Sequence, residues 1–262
     1  MSPGTLLFRY RSVAGESGAR SGEIITKSEL YFANPLSFND PFDCRPVFQI
    51  KAENTEIKRY YDGVLKRQAA HLNREARRAE AKRVAVDKDR KLTNPQNLEE
   101  FKRSYDSTVT ARVGMLCLSE VPDDPLMWSH YADSHRGICL AFDWRDPFFA
   151  AAQQVRYAKQ RPAINPVFHD NETMLEHALL TKSDHWSYER EWRIVHYRRG
   201  SGAYAYPVKA LKAIVVGHQA TPATRQQIAK WAKDRRSPVP VYEARISTTE
   251  FKIHIVPPLS YA

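Results

Sequence analysis

Short apolar runs recur along this chain and are interrupted once by a long polar stretch, and that rhythm predicts its elements. TLLFRYR (5–11) and ELYFA (29–33) have the aromatic and aliphatic character of strands, and VGMLCLS (113–119) and GICLAFD (137–143) are continuous enough to be buried strands. EWRIVHY (191–197) alternates and predicts a half-buried strand; QVRYA (154–158), YAYPV (204–208), AIVVG (213–217), VPVYEAR (239–245) and FKIHIV (251–256) add shorter ones. Helical spacing marks NETMLEHALLTK (171–182), TPATRQQIAKWAKD (221–234) and PLMWSHYAD (125–133), the last opened by Pro125 in its first turn. Gly and Ser in GESGARSG (15–22) predict a mobile turn, followed by a single helical turn over Ile24–Lys27. Two prolines among small polar residues make NPLSFNDPFD (34–43) an ordered loop.

From about 53 to 112 the composition shifts to Glu, Lys, Arg, Ala and Gln, which predicts two or three amphipathic helices inserted into the chain. The fold class that follows is α+β: a single mixed domain over residues 1–262, with a central, mostly antiparallel β-structure and a helical insertion at 53–112. With 42% hydrophobic residues the chain can bury a sizeable core. No apolar run approaches the roughly 20 residues needed to cross a bilayer, and the N-terminal stretch lacks the marks of a secretion signal, so the expected location is the cytoplasm with no membrane partner. Three cysteines without CxxC spacing predict neither a disulfide framework nor a cysteine zinc site.

A net charge of +10 points to an anionic partner, either nucleic acid or a phosphorylated small molecule. Within the insertion Arg74, Arg77, Arg78, Lys82 and Arg83 are the candidate contacts to DNA or RNA. The alternative is a solvated helix face laced with ion pairs four residues apart.

Three motifs carry candidate chemistry. In FNDPFD (38–43), Asn39 and Asp40 can close an Asx-type turn before Pro41, with Phe38 and Phe42 anchoring the loop to the core. In MWSHYADSHRG (127–137), Trp128 and Tyr131 are placed as an aromatic wall with His130 beside them, although rings at this spacing also serve as core. His130 and His135 are five apart, which does not suit a shared metal on a helix, and no metal is expected. In YEREWRI (188–194), Glu189 and Glu191 are expected on one face at the start of a strand. Two carboxylates so close need a cation; Arg190 and Arg193 are assigned to the opposite face, which leaves Arg9 or Arg136 as the expected partner. The bland reading of the motif is a structural ion-pair cluster. No P-loop or G-x-G-x-x-G fingerprint is present.

The order FRYRS, LYFANPLSFNDPFD, LCLSE, PLMWSHYADSHRGICLAFD, TKSDHWSYEREWRI and AIVVG resembles, over nearly the whole chain, the bacterial and phage family known as domain of unknown function 2971. More remotely, Arg9 in the first strand and Glu189-Arg190-Glu191 before WRIVHY are similar to the pattern of ADP-ribosyltransferases, and LYFANPLSFNDP to the substrate loop of DNA-targeting toxins of that kind. That resemblance implies NAD as substrate, Glu191 on the nicotinamide ribose, Glu189 orienting the acceptor, and Arg9 clamping the pyrophosphate. Tyr10 or Tyr131 would stack on the nicotinamide, Ser37 and Tyr131 compete for the middle motif, and Asn39, Asp40, Trp128 and His130 would line the pocket. Competing expectations are a metal-dependent nuclease using Asp40, Asp43 and Glu191, and a noncatalytic nucleic-acid-binding module using the basic insertion.

Overall fold

The computed structural model describes residues 5–257; the N-terminal stretch read for an export signal begins at Met1, and residues 1–4 lie outside the described residues. In chain order the elements are β1 (Leu6–Arg11), α1 (Gly15–Lys27), β2 (Glu29–Phe32), β3 (Val47–Phe48), α2 (Asn54–Gln68), α3 (Arg74–Val86), α4 (Pro95–Arg112) and β4 (Gly114–Ser119). Then follow α5 (Pro125–Tyr131), β5 (Ile138–Asp143), β6 (Gln153–Gln154), β7 (Arg156–Ala158), β8 (Ala163–Ile164), α6 (Asn171–Leu179) and β9 (Thr181–Ser183). The chain ends with β10 (Glu191–His196), β11 (Gly202–Ala205), β12 (Leu211–Val216), α7 (Pro222–Asp234), β13 (Val241–Ile246) and β14 (Ile253–Val256). Helix and strand are mixed throughout, as an α+β protein requires. No helix among the described residues is long and apolar enough to cross a membrane.

Contacts divide the chain into two compact units. Unit 1 takes the chain up to Asn34, Arg112–Tyr157 and Asp184 onward; unit 2 takes Pro35–Ala111 and Ala158–Ser183. In unit 1, among the described residues, an eight-stranded sheet runs β14-β13-β12-β5-β1-β4-β10-β6. Its β12–β13 pair is parallel and its other pairs are antiparallel. All six positions of β5 are buried, because the sheet is covered on both sides. On one side Leu7, Leu140, Phe142 and Ile214 pack with Ile24 of α1 and Ile228 of α7. On the other, Tyr10, Cys139 and Val215 pack with Met127 and Trp128 of α5.

Several elements depart from their local sequence signals. The Gly/Ser-rich stretch 15–22 is not a turn but the first two-thirds of α1, and the expected helical turn over Ile24–Lys27 is its end. Weak intrinsic propensity is overridden here by tertiary packing: a Cβ on Gly22 would sit 2.9 Å from the Trp231 indole of α7, so only glycine lets the two helices approach this closely. QVRYA is split into β6 and β7 at Val155, whose N–H turns to the Glu191 carbonyl at 2.9 Å. The helix expected over 171–182 stops at Leu179. The first four residues of β10 are buried rather than alternating, since the strand lies between β4 and β6 with both faces covered.

Unit 2 contains the inserted helices α2, α3 and α4, as the composition predicted. Its core forms where Phe48 of β3 meets Phe101 and Tyr105 of α4, ring centroids 5.3 and 5.2 Å apart, with Ile57, Val84 and Val109 also buried.

Trp128 is fully buried, donates its indole N–H to the Pro122 carbonyl at 2.8 Å and meets Tyr10 edge-on at 5.2 Å. Replacement by alanine should destabilise the protein by roughly 3–5 kcal/mol, read as a shift of the urea unfolding midpoint. A shift below about 1 kcal/mol would contradict this packing.

Candidate functional site

The carboxylate motif does not start as a strand. Asp184–Glu189 is a 3-10 turn, and Arg190 follows in the left-handed region at φ 43°, a backbone state that costs a non-glycine residue of order 1 kcal/mol. Glu189 is therefore not one of two carboxylates on a strand face; Glu191 begins β10 alone. The break is held by Ser119 at the end of β4, whose hydroxyl donates to the Glu189 carbonyl at 2.6 Å, and by the Glu120 N–H on the Arg190 carbonyl at 3.1 Å.

Each carboxylate has its own partner. The Arg193 Nε–H and Nη2–H donate to the two oxygens of Glu191 at 2.7 and 2.9 Å, a bidentate fork in which Arg193 is wholly buried and Glu191 nearly so. This corrects the assignment of Arg193 to the opposite face: residues two apart on a strand share a face, so 191 and 193 are neighbours. Arg136 is not the compensating cation either, because it forks onto Asp133 three residues earlier. Glu189 accepts the Tyr131 hydroxyl proton at 2.6 Å, and the Glu191 N–H donates to the Tyr157 oxygen at 2.8 Å.

Tyr131, the partner of Glu189, belongs to a group of partly exposed rings. His130 sits 6.2 Å from Tyr131, 6.3 Å from Trp186 and 6.4 Å from Tyr188, and Trp186 lies 6.0 Å from Tyr188. His130 is exposed and the other three are intermediate. Three successive left-handed residues, Asp133, Ser134 and His135, turn the chain from α5 into β5 directly after His130 and Tyr131. Gly137 completes the turn, because a Cβ there would meet the Arg11 carbonyl oxygen at 2.2 Å.

Arg9 lies on the other face of the sheet. Phe8, Ser119 and Glu191 are successive cross-strand partners and share a face, which puts Arg9 on the α1 side. Its Nη1–H donates to the Cys117 carbonyl at 2.7 Å. Tyr10 and Trp128 are core rather than pocket wall: Tyr10 is 6% exposed, and its hydroxyl donates to the Val121 carbonyl.

The FNDPFD residues belong to unit 2. Asp40 closes the expected Asx turn by accepting the Phe42 N–H at 2.8 Å, while Ser37 and Asn39 are exposed. Phe42 is not an anchor: it is 60% exposed under the Arg161 guanidinium. Asp43 is buried opposite Lys182, 3.9 Å away. Among the described residues no three His, Cys, Asp or Glu side chains group at metal-binding distance. Of the basic residues, Arg77 pairs with Asp62 and Arg83 with Glu80. Arg74, Arg78 and Lys82 are exposed along one row of α3.

Trp186, Tyr188, Ser119 and Tyr157 escaped sequence reasoning, and Arg193 was assigned to the wrong face. HWSY directly before the two glutamates is the signal that could have found the first two; Ser119 arrives through strand pairing and Tyr157 through its hydroxyl, and neither had one.

The family model described as Protein of unknown function (DUF2971) matches residues 127–194. That span contains Tyr131, Trp186, Tyr188, both glutamates and Arg193, and excludes Arg9. Neither a curated protein nor a solved structure matches the chain.

Truncating Arg193 to alanine leaves the Glu191 carboxylate buried without its fork, and should cost roughly 3–5 kcal/mol. Removing both partners should cost less than removing Arg193 alone, a sign that denaturation of the single and double variants checks directly.

Proposed function

We propose that unit 1 is an NAD-consuming transferase that moves ADP-ribose to an acceptor. The observation that carries this reading is the Glu189 carboxylate fixed by the Tyr131 hydroxyl within the group of partly exposed rings His130, Tyr131, Trp186 and Tyr188, two residues before the Arg193-held Glu191. Flat rings with polar edges offer stacking faces to the nicotinamide or adenine of a dinucleotide. The +10 charge favours the approach of its anionic backbone and of a nucleic-acid acceptor, for which Arg74, Arg78 and Lys82 are the exposed cations of α3.

The chemistry asks little of the protein beyond placed charge. The bond between the ribose C1′ and the nicotinamide nitrogen breaks, its electron pair leaves with nicotinamide, and the sugar passes through a cationic state before the acceptor bonds to C1′. A fixed carboxylate stabilises that cation, and the Arg193 fork holds Glu191 in place. Glu189, oriented by Tyr131, is suited to receive the acceptor's proton. The phosphate clamp drawn from the remote resemblance is not assigned to Arg9, since register puts it across the sheet from Glu191.

Nicotinamide release from NAD, with and without DNA, RNA or cell extract, tests the reading. The wild type should release it, Glu191→Gln should do so about a hundredfold more slowly, and Trp186→Ala should weaken NAD binding about tenfold. No release by the wild type under any of these conditions would sink the proposal.

A further inference from the structure

Beneath α1, on the sheet face opposite Glu191, three arginines meet without an ion pair to a carboxylate. Arg9, Arg11 and Arg20 line one cavity of about 80 Å³ together with Glu23, Glu29 and Tyr31. Arg9 and Arg11 point the same way because they are two apart on β1, and Arg20 descends from α1 above them.

Each is held by neutral partners. Arg9 donates to the Cys117 carbonyl at 2.7 Å, while its buried Nε has no hydrogen-bond partner. Arg11 donates to the Ser21 hydroxyl at 3.3 Å and the Ser17 carbonyl at 3.5 Å, and the Arg20 guanidinium lies 5.2 Å from the centre of the Tyr31 ring. Among the described residues none of the three forms an ion pair with a carboxylate. The nearby Glu23 is engaged by Lys27 at 2.9 Å, and Glu29 is half-buried.

This arrangement is electrostatically unsatisfied. Burial, and then the neighbouring Arg11, push the Arg9 guanidinium down to about 10, against a smaller opposite pull from Cys117 and Glu191; burial, and then Arg20, lower Arg11. Three like charges gathered at a cavity, with an unused buried N–H, lower their energy by taking up an anion. The space is far below the ~300–1,000 Å³ of a drug-sized site, so it suits one tetrahedral group and not a whole nucleoside. Guanidinium forks match the oxygens of phosphate.

We propose that Arg9, Arg11 and Arg20 form a binding site for an oxyanion of the phosphate class, either free phosphate or the phosphoryl end of a larger ligand. The site stands apart from the transferase reading, being built on the other face of the sheet from different residues.

Thermal unfolding of the full chain against inorganic phosphate, AMP and adenosine tests it, with sodium chloride at matched ionic strength as reference. Phosphate or AMP should raise the midpoint saturably and adenosine should not; the tighter of the two binders tells free from esterified phosphate. Arg20 is exposed, so Arg20→Gln should leave the unliganded midpoint in place while weakening the anion about tenfold. Arg11→Gln should weaken it likewise. No saturable shift beyond the salt reference, or one that both variants retain, would overturn the site. Nicotinamide release measured on the same Arg20→Gln protein should match wild type, so the two proposals fail separately.

Discussion

A sheet covered on both faces has no water to solvate a charge, and the rest of unit 1 follows from that constraint. β5 is dry along its whole length, β4 and the first four residues of β10 nearly so, and β1 is buried at Leu7 and Tyr10 and partly covered elsewhere. Any ionised group on these strands must find a partner inside the protein or face a cavity, because an unpaired buried charge costs several kcal/mol. The strands carry few such groups, and each takes one of those two courses.

On the α5 face the course is pairing. Glu191 and Arg193 are adjacent on β10 and satisfy each other through two hydrogen bonds. Glu189, displaced by the left-handed Arg190, takes the Tyr131 hydroxyl instead. The strained backbone at Arg190 thus separates two like charges that a continuous strand would have stacked together. Separation removes a repulsion and gives each carboxylate its own fixed partner, Tyr131 for Glu189 and Arg193 for Glu191.

On the α1 face the course is a cavity. Arg9 and Arg11 find carbonyls and a hydroxyl but form no ion pair among the described residues, and Arg20 adds a third cation from the helix above. The two faces differ because their covers differ. α5 brings Tyr131 to one, whereas α1, close-packed against α7 through Gly22, brings serines and an arginine to the other.

The local sequence by itself determined much of the element order: the buried strands β4 and β5, the three inserted helices, Pro125 opening α5 and the Asx turn at Asp40 were all legible, because periodicity, proline geometry and short side-chain turns act within a few residues. It also singled out the stretch that carries Tyr131, Glu189 and Glu191. What tertiary structure decided depended on partners far away in the chain. Gly15–Lys27 became a helix because Trp231 lies against Gly22, and Glu189 left the strand because Ser119 holds its carbonyl. Arg9 was sent to the face opposite Glu191 by the register of β1 against β4 and of β4 against β10. Register and helix docking bring together residues 70 to more than 200 positions apart, and no local pattern encodes which of them will meet.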